Sequence, residues 1–147
     1  MYSINISNQE AVEWLMRRGN FVKKSYNCKL YTKMTWNILR GILDGDGGFY
    51  FSNSSKRAFI CGASKEFITQ IHNFFTKNNI ISYIHYYPNR NLYYVYVYKT
   101  NDIIKLGKLM YDNAHIYLKR KYAKWLAFYE SKKAKDLNSG KEMAIQP

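Results

Sequence analysis

Apolar positions along the chain switch between helical and strand spacing, and the switches predict its elements. Val12, Leu15 and Met16 recur at i, i+3 and i+4, which predicts a short helix from Gln9 to Arg18 with Asn8 as its cap and Gly19-Asn20 as its end. From Phe21 to Lys33 the pattern is irregular and basic. Leu39, Ile42 and Leu43 predict a second helix from Met34 to Leu43, with Thr35 as its cap and Asp44-Gly45-Asp46-Gly47-Gly48 as its stop. Phe49 to Ser52 reads as a strand, Asn53-Ser54-Ser55 as a turn and Arg57 to Cys61 as the returning strand. Phe67, Ile68, Ile71, Phe74 and Phe75 mark a helix from Lys65 to Lys77, closed by Asn78-Asn79. A second hairpin runs from Ile81 to Tyr87 and from Leu92 to Tyr98 across Pro88-Asn89-Arg90-Asn91. Helices follow from Asn101 to Met110 and from Leu118 to Tyr129, and the polar stretch from Ser131 is expected to fray.

Helix, two strands, helix, two strands, helices is an α+β plan, with both hairpins in one antiparallel sheet. Residues 1–33 read as an N-terminal helix and basic linker, 34–131 as the folded domain, and 132–147 as a polar tail. The helices must cover one face of the sheet. In the last strand Val95 and Val97 alternate with Tyr94, Tyr96 and Tyr98, so the tyrosines belong to the uncovered face.

Composition gives that face a partner. The chain has 147 residues, with Lys+Arg 23 against Asp+Glu 10, for a net charge of +13. Its pI is about 9.7. Such an excess marks a binder of polyanions, and the 15 tyrosines supply flat faces and hydroxyls suited to bases and phosphates. A hydrophobic fraction of 47% is enough for a core and excludes wholesale disorder. No apolar run reaches the roughly 20 residues of a membrane helix. The start does not read as a secretory signal. Cys28 and Cys61 cannot form a disulfide framework or a four-ligand zinc site alone. The expectation is an intracellular chain, with organelle, bacterial cytoplasm and phage-infected cytoplasm all open.

The segment Leu39-Arg40-Gly41-Ile42-Leu43-Asp44-Gly45-Asp46-Gly47 concentrates the unusual choices. Gly41 and Gly45 fall on one helical face, although each costs about 1 kcal/mol relative to alanine in a helix interior. Small residues at that spacing allow another backbone to approach closely. The two acids fall at the helix C-terminus, where the macrodipole is already negative, so a cation or metal is expected to compensate them.

Those nine residues resemble the LAGLIDADG motif of homing endonucleases, and the elements from Met34 to Tyr129 resemble that family's αββαββα core. Arg40 departs from the usual alanine, at a position off the glycine stripe. The resemblance implies a site-specific double-strand DNA endonuclease with an antiparallel DNA-binding sheet. It implies that two motif helices pack at a two-fold axis through Leu39, Gly41, Ile42 and Gly45. Asp46, with the carbonyl of Gly45, would bind Mg²⁺ or Mn²⁺ beside the scissile phosphate, and Asp44 would hold the local turn. The stretch His115 to Tyr122 resembles the one that carries the family's active-site lysine, which assigns a catalytic role to Lys121 and phosphate contacts to Lys119 and Arg120. Where the family has a polar residue after the second strand, this chain has Ala63-Ser64, and Ser64 is the candidate for placing waters.

Strand alternation then nominates DNA contacts. Tyr50, Ser52, Lys56 and Ala58 take outward parity by counting from Asp46, with Phe49 and Phe51 inward. Tyr94, Tyr96 and Tyr98 follow from the valines. His85 and Tyr87 are assigned outward because Ile84 suits the core, and Arg90 and Asn89 stand at the hairpin tip. Arg and Asn can make bidentate contacts to guanine and adenine. A single motif supplies one Asp46, so the expectation is a homodimer on double-stranded DNA. The segment from Gln9 to Lys33 also resembles the closing helix and linker that precede a second motif, which leaves a separate partner half open. Two other readings of the basic surface remain: an intron-RNA maturase or non-cleaving relative, and a structural protein of a ribonucleoprotein particle.

Overall fold

The computed structural model describes residues 28–142, together with residues 10, 13–14 and 17–20 upstream. Residues 10, 13 and 14 are helical, and the rest of the helix expected over 9–18 lies outside the described residues, apart from 17–18, which turn. The linker is less irregular than expected. β1 (Gly19–Asn20) pairs antiparallel with β2 (Lys29–Leu30), and the Gln70 side chain binds both the N–H and the carbonyl of Leu30, at 3.0 and 2.9 Å. The linker is therefore tied to the helix that carries Gln70.

That helix belongs to the main body. Its elements are α1 (Trp36–Asp46), β3 (Gly47–Phe51), β4 (Lys56–Gly62), α2 (Lys65–Lys77), β5 (Tyr83–Tyr87), β6 (Leu92–Val97), α3 (Thr100–Tyr111) and α4 (Lys119–Glu142). A 3₁₀ turn, Pro88–Arg90, joins β5 to β6, with Asn91 in the left-handed region at φ 47°. The four main strands form one antiparallel sheet in the order β3-β4-β6-β5, so the protein is α+β. No helix among the described residues is long and apolar enough to cross a membrane.

The core lies between the helices and one sheet face. Phe49, Ala58, Ile60, Val95 and Val97 meet Leu39 and Leu43 of α1, Ile68, Ile71 and Phe75 of α2, and Ile103, Leu106 and Met110 of α3. Gly107 lets α4 approach α3: a Cβ there would stand 1.9 Å from the Trp125 indole. Trp125 Nε1 also donates to the Ile103 carbonyl at 3.3 Å.

Two expected boundaries move. α1 does not stop at Asp44 but runs through Gly45 and Asp46 directly into β3. The glycines act as no left-handed cap: Gly47 is extended at φ −127°, and no described glycine has positive φ. The polar tail expected from residue 132 instead continues α4 to Glu142. Lysine, alanine and leucine are good helix formers and no proline interrupts them.

Candidate functional site

The C-terminus of α1 is held by the start of α4. Lys121, only 6% exposed, donates through Nζ to the carbonyls of Leu43 (2.6 Å), Asp44 (2.9 Å) and Gly47 (2.6 Å). The end of α1, where the Leu43 carbonyl also accepts from the Gly47 N–H, therefore receives an ammonium that meets the negative pole of the helix dipole. Burial lowers the Lys121 pKa below the usual lysine value, and neighbouring Arg120 lowers it further, against Asp44 and Asp46. Asp44 completes the joint: its Oδ2 accepts from the Leu118 N–H at 2.8 Å, placing a carboxylate at the N-terminus of α4. Asp44 is thus structural, as expected, but it clasps α4 rather than holding its own turn. Lys121 has its three protons on carbonyls and so positions the end of α1.

Asp46 is different. It is exposed, and its carboxylate takes no hydrogen bond or ion pair from the described residues. Its backbone carbonyl accepts from Cys61 Sγ at 3.2 Å. Burial and then Asp46 raise the pKa of both Cys28 and Cys61, so neither thiol is activated. Gly45 is exposed, and its carbonyl is not among those that Lys121 takes. A Cβ built on Gly41 or Gly45 would meet nothing within 4 Å among the described residues. Ile42 lies partly buried beside them, while Leu39 is fully buried in the chain's own core and cannot belong to a seam between chains. Leu39 shares the inward face with Leu43, one turn on. Arg40 also points inward along the fold, donating to the Met110 carbonyl at 2.6 Å and to Asn37 at 2.9 Å.

Ser64 caps α2. Its oxygen accepts from Phe67 N–H at 3.1 Å, its proton goes to the Cys28 carbonyl at 2.7 Å, and it is buried. These bonds make Ser64 the cap of α2 and tie it to the linker.

The uncovered sheet face is an aromatic platform. Tyr94, Tyr96 and Tyr98 stack along β6 with 5.4 Å between successive centroids. His85 meets Tyr96 edge-on at 5.3 Å, and Tyr87 meets Tyr94 at 5.1 Å. Tyr96 is the hub and is only 7% exposed, so its neighbours rather than its own ring present most of the surface. Burial and the hydrogen bond with Tyr87, at 3.3 Å between hydroxyls, raise its pKa. Tyr50 lies on the same face, and at the tip Asn89 and Arg90 border a cavity of about 440 Å³ with Tyr87 and Tyr94. Lys119 and Arg120 are exposed at the start of α4, by the α1 end.

Strand β4 is where alternation misassigned a set of residues. Phe49 pairs with Ala58 and Tyr50 with Arg57, and directly paired residues share a face. Ala58 is accordingly buried in the core, and Lys56, opposite Phe51, lies on the helix side. Arg57 is the cation on the open face, 4.7 Å from the Tyr50 ring and 5.7 Å from that of Tyr96. Phe59 and Tyr83 join it, the first at 6.3 Å from Tyr96, the second at 5.9 Å from Tyr98. Anchoring parity on Ala58 and Ile60 would have found Arg57. Phe59 and Cys61 are as apolar as the core set, so the pattern was ambiguous. Ser52 ends in the β3–β4 turn, where its Oγ accepts from Ser55 N–H at 3.0 Å.

Compared with protein-family models, curated proteins and solved structures, the chain has no match.

Proposed function

We propose that the chain is a site-specific double-strand DNA endonuclease of the LAGLIDADG homing type, acting as a pair of chains that hold divalent cations, Mg²⁺ or Mn²⁺, between them. One observation carries the reading: an exposed Asp46, without a partner among the described residues, stands at the end of a helix whose glycines meet no described side chain, beside an open aromatic and cationic sheet face. Nothing among the described residues requires glycine at 41 or 45, so a second backbone lying against α1 is the economical reason for both.

The residues suit such a cation. The Asp46 carboxylate and the Gly45 carbonyl are oxygen donors of the kind hard cations take. No cluster of three His, Cys, Asp or Glu occurs among the described residues, and a second copy of the chain would bring another carboxylate to Asp46. Bound there, the cation would supply charge stabilisation at the scissile phosphate. The chain's own residues do the rest. Lys121 and Asp44 fix the end of α1, and with it the direction of Asp46. Arg57, Arg90, Lys119 and Arg120 attract phosphates and guanine edges, and the tyrosine platform orients the duplex.

Incubation with a plasmid library and Mg²⁺ should give linear products from a small subset of plasmids, and Asp46→Asn should give none. The maturase or non-cleaving reading has its own support, since the three Lys121 donors are all taken by carbonyls. Tight binding of structured RNA, with no cleavage in either metal, would replace the first reading by the second.

A further inference from the structure

Lys56, turned away from the open face, shares a groove of about 630 Å³ with Lys124, Lys132 and Lys135. The groove runs between the β3–β4 turn and α4, with Asn53 at its rim and Phe128 at its base. No carboxylate is among the described residues that line it. Lys132 sits 5.7 Å from the Phe128 ring. Partial burial lowers the Lys132 pKa, Lys56 and Lys135 lower it further, and Asp136 only partly offsets them. The fold thus sets the Lys132 ammonium beside that of Lys56, a repulsion that Asp136 only partly offsets. An entering anion removes that penalty, and ammoniums are compact point charges suited to phosphate.

Spacing selects the kind of anion. Lys124 to Lys135 spans 11 residues of helix, about 16 Å at 1.5 Å each, too long for one phosphate. A duplex strand brings a phosphate every 3.4 Å or so along its axis and meets several of the lysines together. Position points the same way. β3 is an edge strand, and its turn lies about 17 Å of strand from the Asp46 end. The groove therefore lies on the helix side of the sheet, at the end of β3 and β4 away from Asp46.

We propose that this lysine groove binds the sugar–phosphate backbone of nucleic acid flanking the segment on the sheet face, without reading its sequence. This rests on the nucleic-acid reading above. The test is fluorescence anisotropy with the full chain and two random-sequence duplexes, one of about two helical turns and one of about four. The longer duplex should bind about tenfold more tightly, with a salt slope steeper by about two. Lys124→Ala/Lys132→Ala should abolish that advantage and leave the shorter duplex within about twofold of wild type. Lys105→Ala/Lys133→Ala, which removes equal charge outside the groove, should keep the advantage. A groove variant that retains the full length preference overturns the proposal while nucleic-acid binding stands. Equal weakening on both duplexes overturns it too, because the lysines then act as diffuse charge. Failure of the wild-type chain to bind either duplex would instead overturn the nucleic-acid reading, and the groove with it.

Discussion

Lys121 and Leu43 are 78 residues apart in sequence, yet the Lys121 ammonium donates to the Leu43 carbonyl at 2.6 Å. The bond belongs to a set of three that joins the acidic end of α1 to the start of α4. Lys121→Met keeps the length of the side chain and removes the donors. Three carbonyls then lose the ammonium, although that of Leu43 keeps the Gly47 N–H as a second donor, and stability should fall by about 2–4 kcal/mol. A thermal melt indistinguishable from wild type would remove Lys121 from the joint.

Asp44 and Asp46 are two residues apart and should respond in opposite ways. Asp44→Asn removes a negative charge that accepts from Leu118 at the N-terminus of α4, so stability should fall by about 1–2 kcal/mol. Asp46→Asn alters an exposed carboxylate without a partner among the described residues, so the melt should be unchanged and cleavage lost. DNA affinity should hold or rise, because a charge near phosphates is gone. Equal loss of binding and cleavage in Asp46→Asn would sink the assignment.

Local patterns made most of this architecture readable. Helical spacing located α2 and α3, and the valines of β6 gave the platform its tyrosines. What escaped were long-range effects. The end of α1 depends on a lysine 78 residues later, so Asp44-Gly45-Asp46 looks like a stop only when read locally. The face of Lys56 depends on its pairing with Phe51, and counting across a junction could not supply that register. The exposed Asp46 and the glycine stripe were legible because an acid at a helix C-terminus and two glycines on one face both defy helix preference. The capping bond of Ser64 was not legible, because a capping serine and a water-placing serine look alike in sequence.

The glycine face yields a prediction in which stability and assembly part company. A Cβ at Gly41 meets nothing within 4 Å among the described residues, so Gly41→Ala should stabilise the single chain by up to about 1 kcal/mol. Gly41→Leu should also fold, yet give monomers in light scattering where wild type gives dimers. Wild-type chain that is already monomeric without DNA would favour a separate partner half.

Alkaline stability tests the buried phenols. Burial first, and then Asp44, raises the pKa of Tyr111, while burial and Tyr87 raise that of Tyr96. Above the ordinary value of 10.0 the unfolded chain releases protons that the native chain keeps. Stability should therefore fall as pH rises from about 10 towards the raised native values. Urea midpoints across that range should drop less steeply for Tyr96→Phe than for wild type. Parallel curves would mean that the Tyr96 hydroxyl titrates normally.

Arg57 separates general attraction from sequence discrimination on the platform. Its guanidinium lies against Tyr50 and Tyr96, so it faces an incoming duplex as a held cation rather than a mobile one. With +13 per chain, duplex binding should weaken steeply with salt, with a log–log slope on the order of −6 to −10 for two chains. A phosphate contact by Arg57 would mean that Arg57→Ala flattens the slope by about 0.9 and weakens all sequences alike. A guanine contact would instead cost about 1–3 kcal/mol on the preferred site alone. Its contact with the Tyr50 ring, at 4.7 Å, limits its reach along the backbone and favours the second outcome. Tyr94→Ala should leave the slope unchanged and erode discrimination, because it removes platform area without charge. If Arg57→Ala changes neither slope nor preference, nucleic acid does not lie on this face.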